Sequence, residues 1–262
     1  MGKIADFFGT CRRPAFIGFT VAGDPNRETS IRAAMALIDG GTDILELGIP
    51  FSDPVADGPT IQKADERSLA SGTTVTGVFG MVLELRKTFH TPIVLLTYYN
   101  TVYRRGIDRF YREAHEAGVD GILIADMPVE ESDDVYEAAL RHAIDPIFLI
   151  TRTTSEERMK MIAARSRGYL YLVSVLGVTG ARDTIPSEAI DLLRTVRKHT
   201  DLPLALGFGI STISHARTCS EAGADGIIVG SAIVEIIEKN LGNPDEMAAN
   251  LKEYVTAMKH AC

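Results

Sequence analysis

Short apolar runs alternate with amphipathic stretches along nearly the whole chain. Runs rich in Ile, Leu, Val, Phe or Tyr fall near 15–21, 43–47, 93–98, 121–125, 145–149, 168–173, 203–207 and 225–229, and each reads as a strand. Helical periodicity fills the intervals near 27–39, 61–71 with 75–89, 104–117, 130–141, 154–164, 187–199, 211–222 and 244–260, and a further short helix is predicted at 3–9. Strand then helix, eight times over, predicts parallel strands joined by helical crossovers. A faint repeat supports this: Gly41-Thr42-Asp43, Gly118-Val119-Asp120 and Gly223-Ala224-Asp225 each fall between a helix and a strand. Glycine suits a helix end in the left-handed conformation, and the aspartate is expected to tie the turn down by local hydrogen bonds. A doubly wound open sheet would carry similar punctuation. The count of eight decides for an α/β fold of the closed (βα)8 TIM barrel type, with an extra N-terminal helix. No linker or low-complexity tract divides the chain, which predicts a single domain over residues 1–262.

Composition narrows the functional classes. At 45% hydrophobic residues the chain can build a sizeable core, and 27 basic against 35 acidic side chains give a net charge of −8. That sign argues against nucleic acid as a partner, without excluding a local anion site. The 3 cysteines, Cys11, Cys219 and Cys262, are scattered and form no Cys-x-x-Cys pair, which fits a reduced, cytoplasmic setting. Residues 1–20 mix Asp6, Arg12 and Arg13 into their apolar positions, unlike a signal peptide. No stretch approaches the ~20 apolar residues of a membrane span, so a soluble protein with no membrane association is expected.

The most telling segment is 45–62, Leu-Glu-Leu-Gly-Ile-Pro-Phe-Ser-Asp-Pro-Val-Ala-Asp-Gly-Pro-Thr-Ile-Gln. Glu46 interrupts a run that otherwise reads as a buried strand, and the Gly/Pro-rich loop after it delivers a second acid, Asp57. A carboxylate stripped of water costs several kcal/mol unless it is paired or protonated. Two such acids at a strand end form a candidate acid/base centre. The alternative, an acid bonded to a neighbouring loop, is about as well supported by this segment alone. In a barrel of this type, function gathers on the loops after the strands. Those at 48–60 and 174–186 are long and rich in Gly and Pro, as binding loops and lids are.

Three glycine clusters stand at strand ends: Gly177-Val178-Thr179-Gly180, Gly207-Phe208-Gly209 and Gly230-Ser231-Ala232. Converging backbone N–H groups and a short helix beginning at Ser231 would make a phosphate cradle. The 8 lysines all map to predicted helices or their ends, so no Schiff-base lysine enters the barrel. The histidines, His215 included, map to helices too, where solvated surface is the expected role, so no metal site is predicted. Phe19, Tyr98, Tyr99, Tyr171 and Phe208 are candidate aromatics at the mouth, with a core role equally open for them. The inventory suits proton transfer on a phosphorylated substrate that supplies its own electron sink, with no cofactor.

Residues 46–62 resemble the signature of the tryptophan synthase α subunit family. Thr20 through Pro25, Ala125-Asp126-Met127-Pro128, the three glycine clusters and Ile233-Val234 agree with it in order, over nearly the whole chain. The resemblance implies a lyase cleaving indole-3-glycerol phosphate to indole and glyceraldehyde 3-phosphate. It also implies a β subunit as partner, in a complex of two α and two β chains. Glu46 then matches the general acid/base, and Asp57 the carboxylate facing the indole N–H. Phe19 and Tyr171 match pocket residues; Gly180, Gly209, Gly230 and Ser231 match the phosphate cradle. Thr179 matches the loop threonine that joins a closed lid to Asp57, and Tyr98 and Asn100 fall in the partner-facing segment. Ser174 is followed by Val175 where many relatives carry arginine, which bears on lid closure and signalling to a partner. A free-standing lyase without a β chain, another phosphate-binding barrel such as a sugar-phosphate isomerase or epimerase, and a non-catalytic regulatory subunit are the competing readings.

Overall fold

The computed structural model describes residues 2–11, 13–173, 185–207 and 209–262. The apolar runs become β1 (Ala15–Val21), β2 (Ile44–Gly48), β3 (Ile93–Thr97), β4 (Gly121–Ile124), β5 (Asp145–Ile147), β6 (Leu149–Thr151), β7 (Leu170–Val173), β8 (Leu204–Gly207) and β9 (Gly226–Val229). Every pairing is parallel, in the order β5-β4-β3-β2-β1-β9-β8-β7-β6. β5 and β6 are halves of the predicted fifth strand, separated by Phe148. β5 pairs with β4 and β6 with β7, so the sheet closes through this broken strand into an eight-position barrel. β1, β2, β4 and β9 are buried along their whole length. Strands covered on both faces need near-continuous apolar sequence, which is why these runs carry so little polar alternation.

Around the sheet run α1 (Lys3–Thr10), α2 (Arg27–Asp39), α3 (Pro59–Ala70), α4 (Val75–Arg86), α5 (Tyr99–Arg105), α6 (Ile107–Ala117), α7 (Asp133–Arg141), α8 (Glu156–Arg165), α9 (Ser187–Arg197), α10 (Ile213–Glu221), α11 (Ser231–Lys239) and α12 (Pro244–Lys259). The continuous helix expected at 104–117 is instead α5 and α6, parted at Gly106, whose φ of +88° no helix accommodates. Among the described residues no single helix is long and apolar enough to cross a membrane.

The barrel interior is filled by Ile17, Ile44, Val94, Leu123, Tyr169 and Ile228, among others, and α1 sends Ile4 in among them. The predicted N-terminal helix therefore packs against the interior from the barrel's N-terminal end. At that same end the Gly-x-Asp repeat works differently from expectation. Asp43, Asp120 and Asp225 do not tie their own turns. Each accepts the backbone N–H of the preceding strand's first or second residue: Phe16 at 2.7 Å, Ile93 at 2.9 Å and Leu204 at 2.8 Å. Each also pairs with a cation, respectively Lys259, Arg86 and Arg197. The repeat thus stitches neighbouring strands together at the end of the barrel away from the loops that follow them.

Candidate active site

β1 and β2 run side by side with Phe19 opposite Glu46. Side chains alternate along a strand, so Glu46 shares its face with Ile44 and points into the barrel. It is fully buried. The Tyr169 hydroxyl donates to its Oε1, while Oε2 has no hydrogen-bond partner among the described residues. Loss of water dominates over that single bond and pushes the carboxyl from 4.5 up to about 7.

Above it opens a cleft of about 700 Å³, solvent at its mouth included, walled by Phe19, Asp57, Leu96, Tyr171, Gly209 and Ser231 among others. Glu46 lies beneath this wall rather than in it, next to Phe19 in register and to Tyr171 through the Coulombic influence of its charge. Asp57 reaches the cleft from the loop between β2 and α3. Its Oδ2 accepts the Tyr98 hydroxyl at 2.6 Å, and the Tyr98 oxygen accepts the Ala56 N–H at 3.0 Å. Burial raises the Asp57 carboxyl, and the Tyr98 bond works against that rise. α3 itself is fastened by Asp24, a buried acid that accepts Arg67 through both oxygens at 2.7 and 2.8 Å.

The glycines at the strand ends have distinct reasons. A Cβ on Gly207 would stand 2.6 Å from the Tyr171 ring, and one on Gly48 or Gly230 would stand 2.9 or 3.0 Å from the Phe19 ring. Those three positions admit the aromatic walls. Gly209 has open space around it but φ of +67°, so its backbone conformation is what calls for glycine. Opposite it, α11 starts at Ser231 with no side chain capping its first turn. Its free N–H groups and dipole face the cleft wall that Gly230 and Ser231 form.

Of the residues expected from sequence, the structure brings Phe19, Asp57, Tyr171, Gly209, Gly230 and Ser231 to one cleft, with Glu46 below it. Thr179, Gly180, Val175 and Phe208 lie outside the described residues. Tyr98, expected both among the mouth aromatics and in the partner-facing segment, is 2% exposed and turned in toward Asp57, while Asn100 is exposed. His215, expected on solvated surface, is 2% exposed. Two site residues were missed. Tyr169 is two positions from Tyr171, and strand alternation alone puts both inside. Asp65 sits on the buried face of α3 with Ile61, Ala64 and Ser68. Burial first, and the charge of Asp57 second, raise its carboxyl from 3.8 to about 8.

A sequence profile described as tryptophan synthase alpha chain matches residues 9–262. The chain belongs to that family. It is 69% identical over 261 residues to the tryptophan synthase alpha chain of Methanoregula boonei, covering 100% of this chain and 98% of the relative. Tryptophan synthase subunit alpha from Legionella pneumophila superposes with a TM-score of 0.92 at 35% identity, covering 100% of this chain and 98% of that one. In the tryptophan synthase complex from Pyrococcus furiosus, a chain 38% identical gives a TM-score of 0.87, covering 95% and 98%. For this alpha-chain family member, the cleft at the C-terminal ends of the strands is the natural place for the reaction.

Proposed function

We propose that Glu46 and Asp57 carry the chemistry by which this lyase cleaves indole-3-glycerol phosphate to indole and glyceraldehyde 3-phosphate in tryptophan biosynthesis. The observation that carries the assignment is the Glu46 carboxyl: fully buried, half unpartnered, raised to about 7, and one strand over from the Phe19 wall of the cleft. Such a group holds and releases a proton near neutral pH.

Protonation of indole C3 makes an indolenine. The C3–C3′ bond then breaks, its electron pair moves to the iminium nitrogen, and the C3′ hydroxyl gives up its proton as the aldehyde forms. Glu46 delivers the first proton and accepts the second. Asp57, as the anion, stabilises the positive charge growing on the ring nitrogen. Phe19 and Tyr171 hold the indole between them. Gly209, Gly230 and Ser231, with Gly180, take the phosphate, and the positive end of α11 supports that reading; Thr179 joins the closed lid to Asp57. The chain acts as the α subunit beside a β subunit in a complex of two α and two β chains. Exposed Asn100 and Tyr103 on α5 give such a partner a face. We place the protein in the cytoplasm, as one domain.

The test is indole release by purified chain, alone and with a β subunit titrated in. Glu46→Gln should lose turnover by about 100-fold or more while still binding glycerol 3-phosphate, since acid/base groups contribute on that scale. Near-normal turnover in Glu46→Gln would remove the proton-shuttle role. Asp57→Asn should lower kcat with little change in thermal unfolding; a large stability loss would mark Asp57 as structural instead.

A further inference from the structure

Beyond β8, Gly209 leads through Ile210 to Ser211, and Ser211 is held at both of its backbone groups by side chains from separate helices. Its N–H donates to Nδ1 of His215 on α10 at 3.4 Å, and its C=O accepts the hydroxyl of Tyr254 on α12 at 3.0 Å. His215 is also tied to the same corner through its own N–H, which the Thr212 side chain accepts at 3.2 Å as the N-cap of α10.

The imidazole is 2% exposed, and its Nε2 has no hydrogen-bond partner among the described residues. Because Nδ1 accepts, the ring proton resides on Nε2, where its hydrogen-bonding capacity goes unused in a buried place. Leaving such a group unsatisfied is unfavourable, and an apolar side chain would fill the space without that cost. What the imidazole contributes in return is an acceptor for Ser211.

We propose that His215 and Tyr254 are positioning residues for phosphate binding: by clamping Ser211 they fix the segment Gly209–Ser211, and so the side of the cleft that receives the substrate's phosphate. This rests on the reading above that this segment and the start of α11 form the phosphate cradle. The two side chains touch neither substrate nor reacting atoms. Their effect is on how well the cradle is preorganised before the anion arrives, since ordering a loose turn on binding subtracts from affinity.

The experiment is calorimetric titration of glycerol 3-phosphate into the purified chain, with steady-state indole release in parallel. Tyr254→Phe removes one oxygen at constant shape, and His215→Leu fills the ring's space without an acceptor. Each is expected to weaken glycerol 3-phosphate by about two- to tenfold, the scale of one hydrogen bond. KM for indole-3-glycerol phosphate should rise by a similar factor, with a smaller change in kcat. His215→Gln, whose side-chain carbonyl accepts an N–H, should recover most of the loss. Unchanged glycerol 3-phosphate binding in folded Tyr254→Phe would overturn the clamp even if His215→Leu fails to fold. Gly230→Val, which crowds the cradle itself, separates the two ideas. If it binds glycerol 3-phosphate as the wild type does, the cradle assignment falls and the clamp with it. If it alone loses binding, the cradle stands and the clamp falls.

Discussion

Replacing Glu46 by glutamine should stabilise the fold at alkaline pH and leave it almost unchanged in acid. Glutamine keeps an oxygen to accept the Tyr169 hydroxyl and removes the charge. In the native chain burial raises the Glu46 carboxyl from 4.5 to about 7, so the folded state retains a proton that the unfolded state has released. The stability contributed by that protonated carboxyl is full below the unfolded value and is lost as the pH rises through the folded one. At ~1.4 kcal/mol for each pH unit separating the two values, the wild type gives up about 3 kcal/mol across the window. No discount for solvent screening applies, because the side chain is fully buried. Comparing wild type with variant cancels every other titrating group. Urea unfolding at about pH 4 and about pH 8 should therefore show the variant's advantage widening by about 3 kcal/mol. An advantage of the same size at both pH values would refute the reasoning, because it would mean Glu46 is hydrated equally well in the folded and unfolded chain.

Asp65, raised to about 8, should ionise at alkaline pH and set a second negative charge beside Asp57. Turnover in both chains should fall as Glu46 ionises near 7, and the wild type should show a further fall above about 8 that Asp65→Asn lacks; coincident alkaline limbs in the two pH–rate profiles would contradict this. Tyr98→Phe deletes the donor to Asp57 and the acceptor for Ala56, and should lower kcat by about tenfold, since hydrogen bonds to charged groups contribute on that scale. The same variant should keep its thermal midpoint close to the wild type. Arg86→Leu leaves Asp120, only 10% exposed, with the exposed Lys3 as its cation and removes the donor to the Gly118 and Thr91 carbonyls; it should cost about 3 kcal/mol in urea unfolding.

The barrel was legible because its strands are buried on both faces and its helices on one, so period and punctuation alternate cleanly eight times. Phe148 broke the fifth strand and Gly106 split a helix without disturbing that count. Glu46 was legible for the same reason: a charge inside an unbroken apolar strand has few explanations. Tyr169 was within reach by alternation, but an aromatic in a strand reads as core until its hydroxyl is seen to meet Glu46. Asp65 and His215 were harder. Asp65 shares its face with Ile61, Ala64 and Ser68, and His215 shares its own with Ala216 and Cys219, so no continuous apolar stripe marks either as buried. The partners of Asp43, Asp120 and Asp225 lie 21 to 27 residues away, in the neighbouring strand. Local turn chemistry could not name them.

α1 reaches further than its position suggests. Ile4 is inserted among the barrel's interior side chains, and the Phe8 ring lies 6.1 Å from that of Tyr169, whose hydroxyl holds Glu46. Cutting away this first helix would let solvent rise from below toward the acid and lower its hold on a proton, though no severed residue borders the cleft. Phe8 is thus one ring away from the acid that moves the proton, and the first helix belongs to the chemistry's floor.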